Sequence, residues 1–349
     1  MDTILAGKTI EALVRSGAAE RTPIFLWGAP GVGKSDLVRQ IHRQVADVLP
    51  GRLIDDQRVV NMDPVDIRGI PSISDGRTTW NAPSFLPKAD EEPGILFLDE
   101  LPQGAPAVQA ACMQLLLDRR IGEYVLPEGW VILAAGNRTE DRAGANRVIT
   151  PLLNRMLHVD IEVSNEAWQA WARESGISAE VRGFLQFKPT LLHDFDPKRN
   201  ERAFSTPRSW AKVSDAISGV DRELWGGIAE GLVGVGPASE FIGYLSVYAD
   251  LPDLDVLAEN PTDGTESDRV DSLTGAALYA FATALGTKAS EGRKVAASMA
   301  AVAIRLKPEF AILALRDIYR AHPSILKEKG VVDFFKAHKS LMAAIKPTR

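Results

Sequence analysis

Short apolar runs punctuate the first half of the chain: IFLW at 24–27, RVVNM at 58–62, GILFLDE at 94–100, WVILAAGN at 130–137 and MLHVDIEV at 156–163. Segments between them, most clearly APAVQAACMQLLLDRR at 105–120, repeat apolar residues three and four apart, as one helical face requires. Residues 3–16 share that spacing. Short apolar strands alternating with helices predict a parallel sheet covered on both faces over roughly residues 20–163. After Ser164 the strand signal stops. Helices are expected at 165–174, 178–188, 207–218, 221–233 and 237–249. Four more amphipathic segments follow: SLTGAALYAFATALG, GRKVAASMAAVAIRL, EFAILALRDIYRA and VVDFFKAHKSLMAAI.

Composition narrows the class without naming a function. The 349 residues are 45% apolar and 25% charged, ordinary soluble usage and enough for two or three domains. Forty basic against 46 acidic residues leave −6, which gives no sign of nucleic-acid binding by the chain as a whole. A single cysteine, Cys112, excludes an internal disulfide framework and fits a reducing compartment. The opening MDTILAGKTIEALV lacks the basic start and apolar core of a signal peptide. No apolar run approaches the roughly eighteen residues that span a bilayer, so a cytoplasmic protein with no membrane partner is expected.

Charge is uneven, however. Residues 286–349 hold thirteen Lys/Arg against five Asp/Glu, and the acidic stretch YADLPDLDVLAENPTDGTESDRVD precedes them. That shift reads as a linker before a separate module. The expected organisation is an α/β domain at 1–164, a helical domain at 165–250, an acidic linker at 251–272 and a basic helical module at 273–349.

GAPGVGKS, residues 28–35, has the form G-x-x-x-x-G-K-[ST] between an expected strand and an expected helix. Its members Gly28, Ala29, Pro30, Gly31, Val32, Gly33, Lys34 and Ser35 can turn backbone N–H groups onto phosphate oxygens. Lys34 adds charge at the β/γ-phosphates, and Ser35 can ligate Mg²⁺. ILFLDE at 95–100 supplies the complement: Asp99 at a strand end to hold the magnesium through water, and Glu100 to polarise an attacking water. The two acids together point to hydrolysis rather than binding alone. No N-K-x-D base-reading motif and no L-S-G-G-Q signature accompanies them.

With AAGN at 134–137, LLNRM at 152–156 and STPRSW at 205–210, these motifs resemble an AAA+ ATPase, and more narrowly the MoxR family, over about residues 5–250. DPVDIRGIP and WNAPSFLP, at 63–71 and 80–87, resemble that family's helix-two insert region. The resemblance implies a P-loop core with a five-stranded parallel sheet, an all-helical lid and an additional C-terminal helical module. It further implies ATP and Mg²⁺ as cofactors, Asn137 as the sensor-1 residue, Arg208 as sensor 2 reaching from the lid, and Arg155 as an arginine finger acting on a neighbour's nucleotide. Arg142 and Arg147 are rivals for the last role. Asn61, expected at the end of the second strand, would restrain Glu100 as a glutamate switch, although a turn-forming role suits it equally. RRIGEYVLPEGW at 119–130 is expected to form a hairpin, with Tyr124 facing either a central pore or the adjacent helix. IPSISDGRTTW at 70–80 is expected to project as another.

A finger acting in trans requires a homo-oligomer, typically a hexameric ring in this family. The implied function is a ring ATPase that remodels or activates a protein partner, in the family often one with a von Willebrand factor A domain. The alternative is a nucleic-acid-acting motor using the basic C-terminal module.

Overall fold

The computed structural model describes residues 1–138, 141, 153–199, 201–248, 250–262 and 264–345. Its residues cluster into two compact units. One comprises Met1–Ala167, Phe195–Asn200 and Thr206–Arg208; the other comprises Trp168–Asp194, Glu201–Ser205 and Ser209–Arg349.

The first unit is built on a five-stranded parallel sheet. Before it come helices α1 (Thr3–Arg15) and α2 (Ala18–Arg21). Strands β1 (Ile24–Trp27) and β2 (Leu53–Arg58) flank helix α3 (Lys34–Gln44). Helix α4 (Pro64–Arg68) leads to β3 (Ile70–Ser74) and β4 (Arg77–Asn81). Then come β5 (Ile95–Asp99), helix α5 (Pro106–Asp118), β6 (Arg120–Ile121), β7 (Tyr124–Val125), β8 (Val131–Gly136) and β9 (Leu157–Asp160). The order across the sheet is β2-β5-β8-β1-β9.

Alternation along the strands explains the two buried faces. Ile24 and Leu26 of β1, with Ile95, Phe97, Val131 and Leu133, pack under Ile10 of α1 and Leu37, Val38 and Ile41 of α3. Phe25, Leu96, Leu98, Ile132 and Ala134 point the other way, onto Val108, Ala111, Cys112 and Leu115 of α5. Strands covered on both sides must be apolar at nearly every position, which is why they appear as unbroken runs in the sequence. Cys112 lies wholly within this layer, and burial pushes its thiol up to about 12.

The second strand differs from expectation. The run at 58–62 is not a strand: β2 ends at Arg58, and Val59–Asn61 form a 3-10 turn. Asn61 therefore sits exposed in that turn rather than ending a strand. β2 is an edge strand with few apolar positions: Ile54 and Gln57 are buried, and its polar sequence hides it.

Both hairpins form. β3 and β4 pair around Asp75 and Gly76, which both have positive φ, the geometry of a two-residue type I′ turn. The ribbon is exposed along its length, with Ile73 84% and Ile70 68% accessible. β6 and β7 pair across Gly122 and Glu123.

The second unit is helical. Phe184, Trp210, Phe241 and Tyr244 pack in tilted and edge-to-face contacts with ring centroids 5.2–5.7 Å apart. A larger core gathers Phe281, Leu285, Met299, Leu315 and Ile318 around small residues such as Ala300, Ala303, Ala311 and Ala314. Trp168 is buried in its helix and Trp171 lies beside it, ring centroids 6.3 Å apart. Most residues from Trp168 onward fall in this unit, whereas Phe195–Asn200 and Thr206–Arg208 belong to the first.

The acidic stretch is folded, not a bare linker. It forms helices at Leu254–Glu259 and Thr265–Asp271, and Leu257 and Val270 enter the helical core. Its carboxylates meet the basic segment: Lys288 bonds Asp255 at 2.6 Å, and Arg305 bonds Asp271 at 2.8 Å. Two apolar anchors on short acidic helices are too sparse to show against the surrounding Asp, Pro and Gly.

Candidate functional site

β1, β5 and β8 are neighbours in the parallel sheet, so the loops at their carboxyl ends converge. The glycine-rich loop after β1 carries Gly31 and Gly33 at φ of 76° and 95°. A side chain on Gly31 would also meet Thr206 Oγ1 at 2.7 Å, so only glycine fits there. Backbone N–H of Arg208 donates to Gly31 O at 3.2 Å, tying the STPRSW segment to the loop.

Lys34 opens α3 and is buried. Its Nζ donates to Gly28 O at 2.7 Å, Ala29 O at 3.1 Å and Asn137 Oδ1 at 2.9 Å. Burial pushes its ammonium down to about 8; Asp99, Asp141 and Glu100 oppose that shift, and the Arg208 charge reinforces it. Ser35 Oγ donates to Asp99 Oδ2 at 2.8 Å, while Asp99 Oδ1 accepts from Glu100 N at 2.9 Å. The first of these joins a hydroxyl and a carboxylate at the loop's edge, an all-oxygen donor pair that fits Mg²⁺. Among the described residues, no group of three or more His, Cys, Asp and Glu could hold a metal alone. A divalent ion would therefore need other oxygens, such as those of a phosphate.

Glu100 has φ 57° and ψ 33°, the left-handed region, uncommon outside glycine and found at functional sites. Its surroundings hold it there. The 3-10 turn Leu101–Gln103 follows, and buried Gln109 of α5 donates from Nε2 to Gly104 O at 3.1 Å. Pro102 packs so closely on Gly136 of β8 that a Cβ at that position would lie 2.2 Å from Pro102 Cδ.

The structure thus brings Lys34, Ser35, Asp99, Glu100 and Asn137 together, with the Arg208 charge close enough to act on Lys34. Arg155 is elsewhere: exposed, in the turn just before β9, which is the edge strand beside β1. Two residues earlier, Leu153 O meets His158 Nε2 at 2.6 Å, and His158 Nδ1 accepts from Trp27 Nε1 at 2.8 Å. The two bonds together require the neutral tautomer with its proton on Nε2. Arg142 and Arg147 lie outside the described residues.

Tyr124 does not offer its hydroxyl to a pore. Its ring packs on the core and its Oη donates to Pro87 O at 2.8 Å, because the short hairpin folds back onto the domain. Exposed Arg120, Gly122, Glu123 and Val125 are what the hairpin presents. Thr206, within STPRSW, lies against the loop, and Asp141, which no sequence signal marks, accepts from Arg138 N at 3.0 Å through its Oδ2. The contact of Thr206 with the loop and the place of Asp141 beside it follow from the fold alone.

Residues 23–156 match the AAA domain of the dynein-related subfamily, and the core they build has the AAA+ fold. No curated protein sequence matches the chain. Among solved structures, NtrX from Brucella abortus in complex with ATP is 16% identical, over 97% of this chain and 68% of that one, with a TM-score of 0.38. A DNA polymerase III gamma subunit-related protein from Thermotoga maritima is 15% identical, over 97% and 91%, with a TM-score of 0.34. Likeness this loose says nothing about what the chain acts on. No helix among the described residues is long and apolar enough to cross a membrane.

Proposed function

We propose, starting from an AAA domain over residues 23–156, that the chain binds ATP with Mg²⁺ and hydrolyses it to remodel a protein partner. The observation that carries this reading is the convergence of three strand ends, in which Ser35 meets Asp99 and Lys34 meets Asn137. In this reading Gly28 to Ser35 hold the phosphates through backbone N–H groups, and Ser35 and Asp99 hold the ion. When bound, magnesium neutralises charge on the phosphate oxygens. Glu100 orients and polarises the attacking water, and Asn137 holds that water's other side while its neighbour Lys34 turns from loop carbonyls to phosphate. Arg208 contributes further positive charge from the STPRSW segment.

Exposed Arg155, leading into the edge strand, suits a guanidinium that serves the next subunit in a head-to-tail ring, hexameric as in MoxR-type ATPases. The exposed β3–β4 ribbon offers that partner a surface, and a von Willebrand factor A domain protein is the kind of partner such ATPases work with. Pairing of Lys288 and Arg305 with the acidic helices leaves less free charge for a nucleic acid, which weakens the motor alternative.

Steady-state ATP turnover by the full chain tests the reading. Glu100→Gln should keep nucleotide binding and lose turnover by roughly 100-fold or more, and Lys34→Ala should lose binding. Turnover unchanged in Glu100→Gln would sink the hydrolytic assignment. Co-purification of a von Willebrand factor A domain protein tests the partner.

A further inference from the structure

The helical unit contains a second polar site, formed without any sequence motif. A cavity of about 520 Å³ opens between the helices at Asn165–Glu174, Ala179–Phe187, Ala276–Lys288 and Pro308–Ala321. Its wall includes Arg173, Arg182 and Arg320, and its carboxylates are Asp317 and, at an exposed position, Glu174. Arg316 acts on Arg173 from nearby. Two of these guanidinium groups, Arg173 and Arg182, pair with the buried carboxylate of Asp317, and Arg316 and Arg320 add positive charge beside Arg173.

Asp317 leaves several of these donors unmet, and its own Oδ1 accepts no hydrogen bond among the described residues. Arg182 is anchored: Nη1 donates to Asp317 Oδ2 at 3.1 Å, Nη2 to Thr287 Oγ1 at 3.1 Å and Nε to Ile177 O at 3.1 Å. Arg173, with a side chain only 10% exposed, has its Nε 3.3 Å from Asp317 Oδ1 without hydrogen-bond geometry. Its Nε, Arg316 Nε and Arg320 Nη1 are all buried with no hydrogen-bond partner among the described residues. Burial pushes the Arg173 guanidinium down to about 10, and Arg316, Arg320 and Arg182 add to that against Asp317. Ser178 and Ala179 bring the amino end of the Ala179–Phe187 helix, with its partial positive charge, to the same wall. Buried guanidinium N–H groups left without partners are costly, and a bound anion would complete them. Planar N–H forks favour the oxygens of a phosphate, and the cavity has far more room than a bare phosphate fills.

We propose that this cavity binds the phosphate group of a small phosphorylated molecule, held chiefly by Arg173 and Arg320 with Arg182 and Asp317 as their fixed frame. The site is separate from the glycine-rich loop and does not depend on what that loop binds.

Equilibrium dialysis of the full chain carrying Lys34→Ala, which silences the phosphate loop, tests the proposal with inorganic phosphate and with phenyl phosphate at constant ionic strength. Saturable binding of about one equivalent is expected, weakened about tenfold or more by Arg320→Gln or Arg173→Gln and partly restored by Arg320→Lys. Tighter binding of phenyl phosphate would identify an organic monoester as the ligand, and equal binding a free phosphate. Circular dichroism identifies variants that keep the fold, and Arg320, which is only partly buried, supplies the decisive one. Absence of binding, or binding that is indifferent to Arg320→Gln and Arg320→Lys, would overturn the proposal.

Discussion

Lys34 stores a measurable penalty in the fold. Its ammonium is moved by burial from the ordinary 10.5 to about 8. At about 1.4 kcal/mol per pH unit, the buried charge costs roughly 3 kcal/mol of stability at neutral pH, an upper figure because the site can relax. The sign follows from proton counts. Below pH 8 both folded and unfolded chains hold the proton, and the cost is complete and constant. Between 8 and 10.5 the unfolded chain holds more protons than the folded one, so stability rises with pH; above 10.5 the cost is gone. Lys34→Met removes the titrating group while keeping a similar stem. Its advantage over the native chain should therefore shrink by about 2 kcal/mol between pH 7.5 and 10. Urea denaturation followed by tryptophan fluorescence, with both proteins measured at each pH, isolates the difference, because all other titrating groups are shared. A difference that stays flat, or widens as pH rises, would refute the argument that Lys34 is held desolvated in the free chain.

Three further outcomes follow from described contacts. Gly31→Ala places a Cβ against Thr206 at a left-handed φ, which should cost about 1–3 kcal/mol by thermal unfolding; Thr206→Gly should recover part of the loss. His158→Ala removes the link between Trp27 and Leu153 and should cost about 1–2 kcal/mol. In ATPase assays it should act like a weaker Arg155→Ala, whose subunits, mixed with native ones, should lower turnover at the facing sites; turnover by isolated monomers equal to that of the assembly would return Arg155 to an ordinary surface role. Asp317→Asn strips the carboxylate from Arg173 and Arg182 and should destabilise the chain by about 3–5 kcal/mol in chemical denaturation.

What the sequence disclosed depended on how local each signal was. The glycine-rich loop and the Asp-Glu pair are contiguous, and their neighbours are strands buried on both faces, so pattern alone located them. β2 was displaced by several residues because an edge strand needs few apolar positions, while RVVNM has a strand's composition but curls into a turn. The acidic helices read as a linker because their fully buried apolar residues, Leu257 and Val270, are few among many Asp and Glu. Tyr124 could not be oriented, since its acceptor, Pro87, lies 37 residues away. The arginine cavity is the extreme case: Arg182 and Asp317 are 135 residues apart and belong to no shared motif.

The position of β1 between β8 and β9 has a consequence for timing. β1 ends in the phosphate loop, and Ile161 N beside it donates to Trp27 O at 2.7 Å, while the turn bearing Arg155 enters β9 at its other end. β1, which ends in the phosphate loop, and β9, which follows the turn bearing Arg155, are thus adjacent, about 4.8 Å apart. In a head-to-tail ring, a strain of a few tenths of an ångström at one loop would need to cross only that spacing before reaching the next subunit. Such a circuit has a polarity: each site hears from one neighbour and speaks to the other, so firing around the ring would run in one direction.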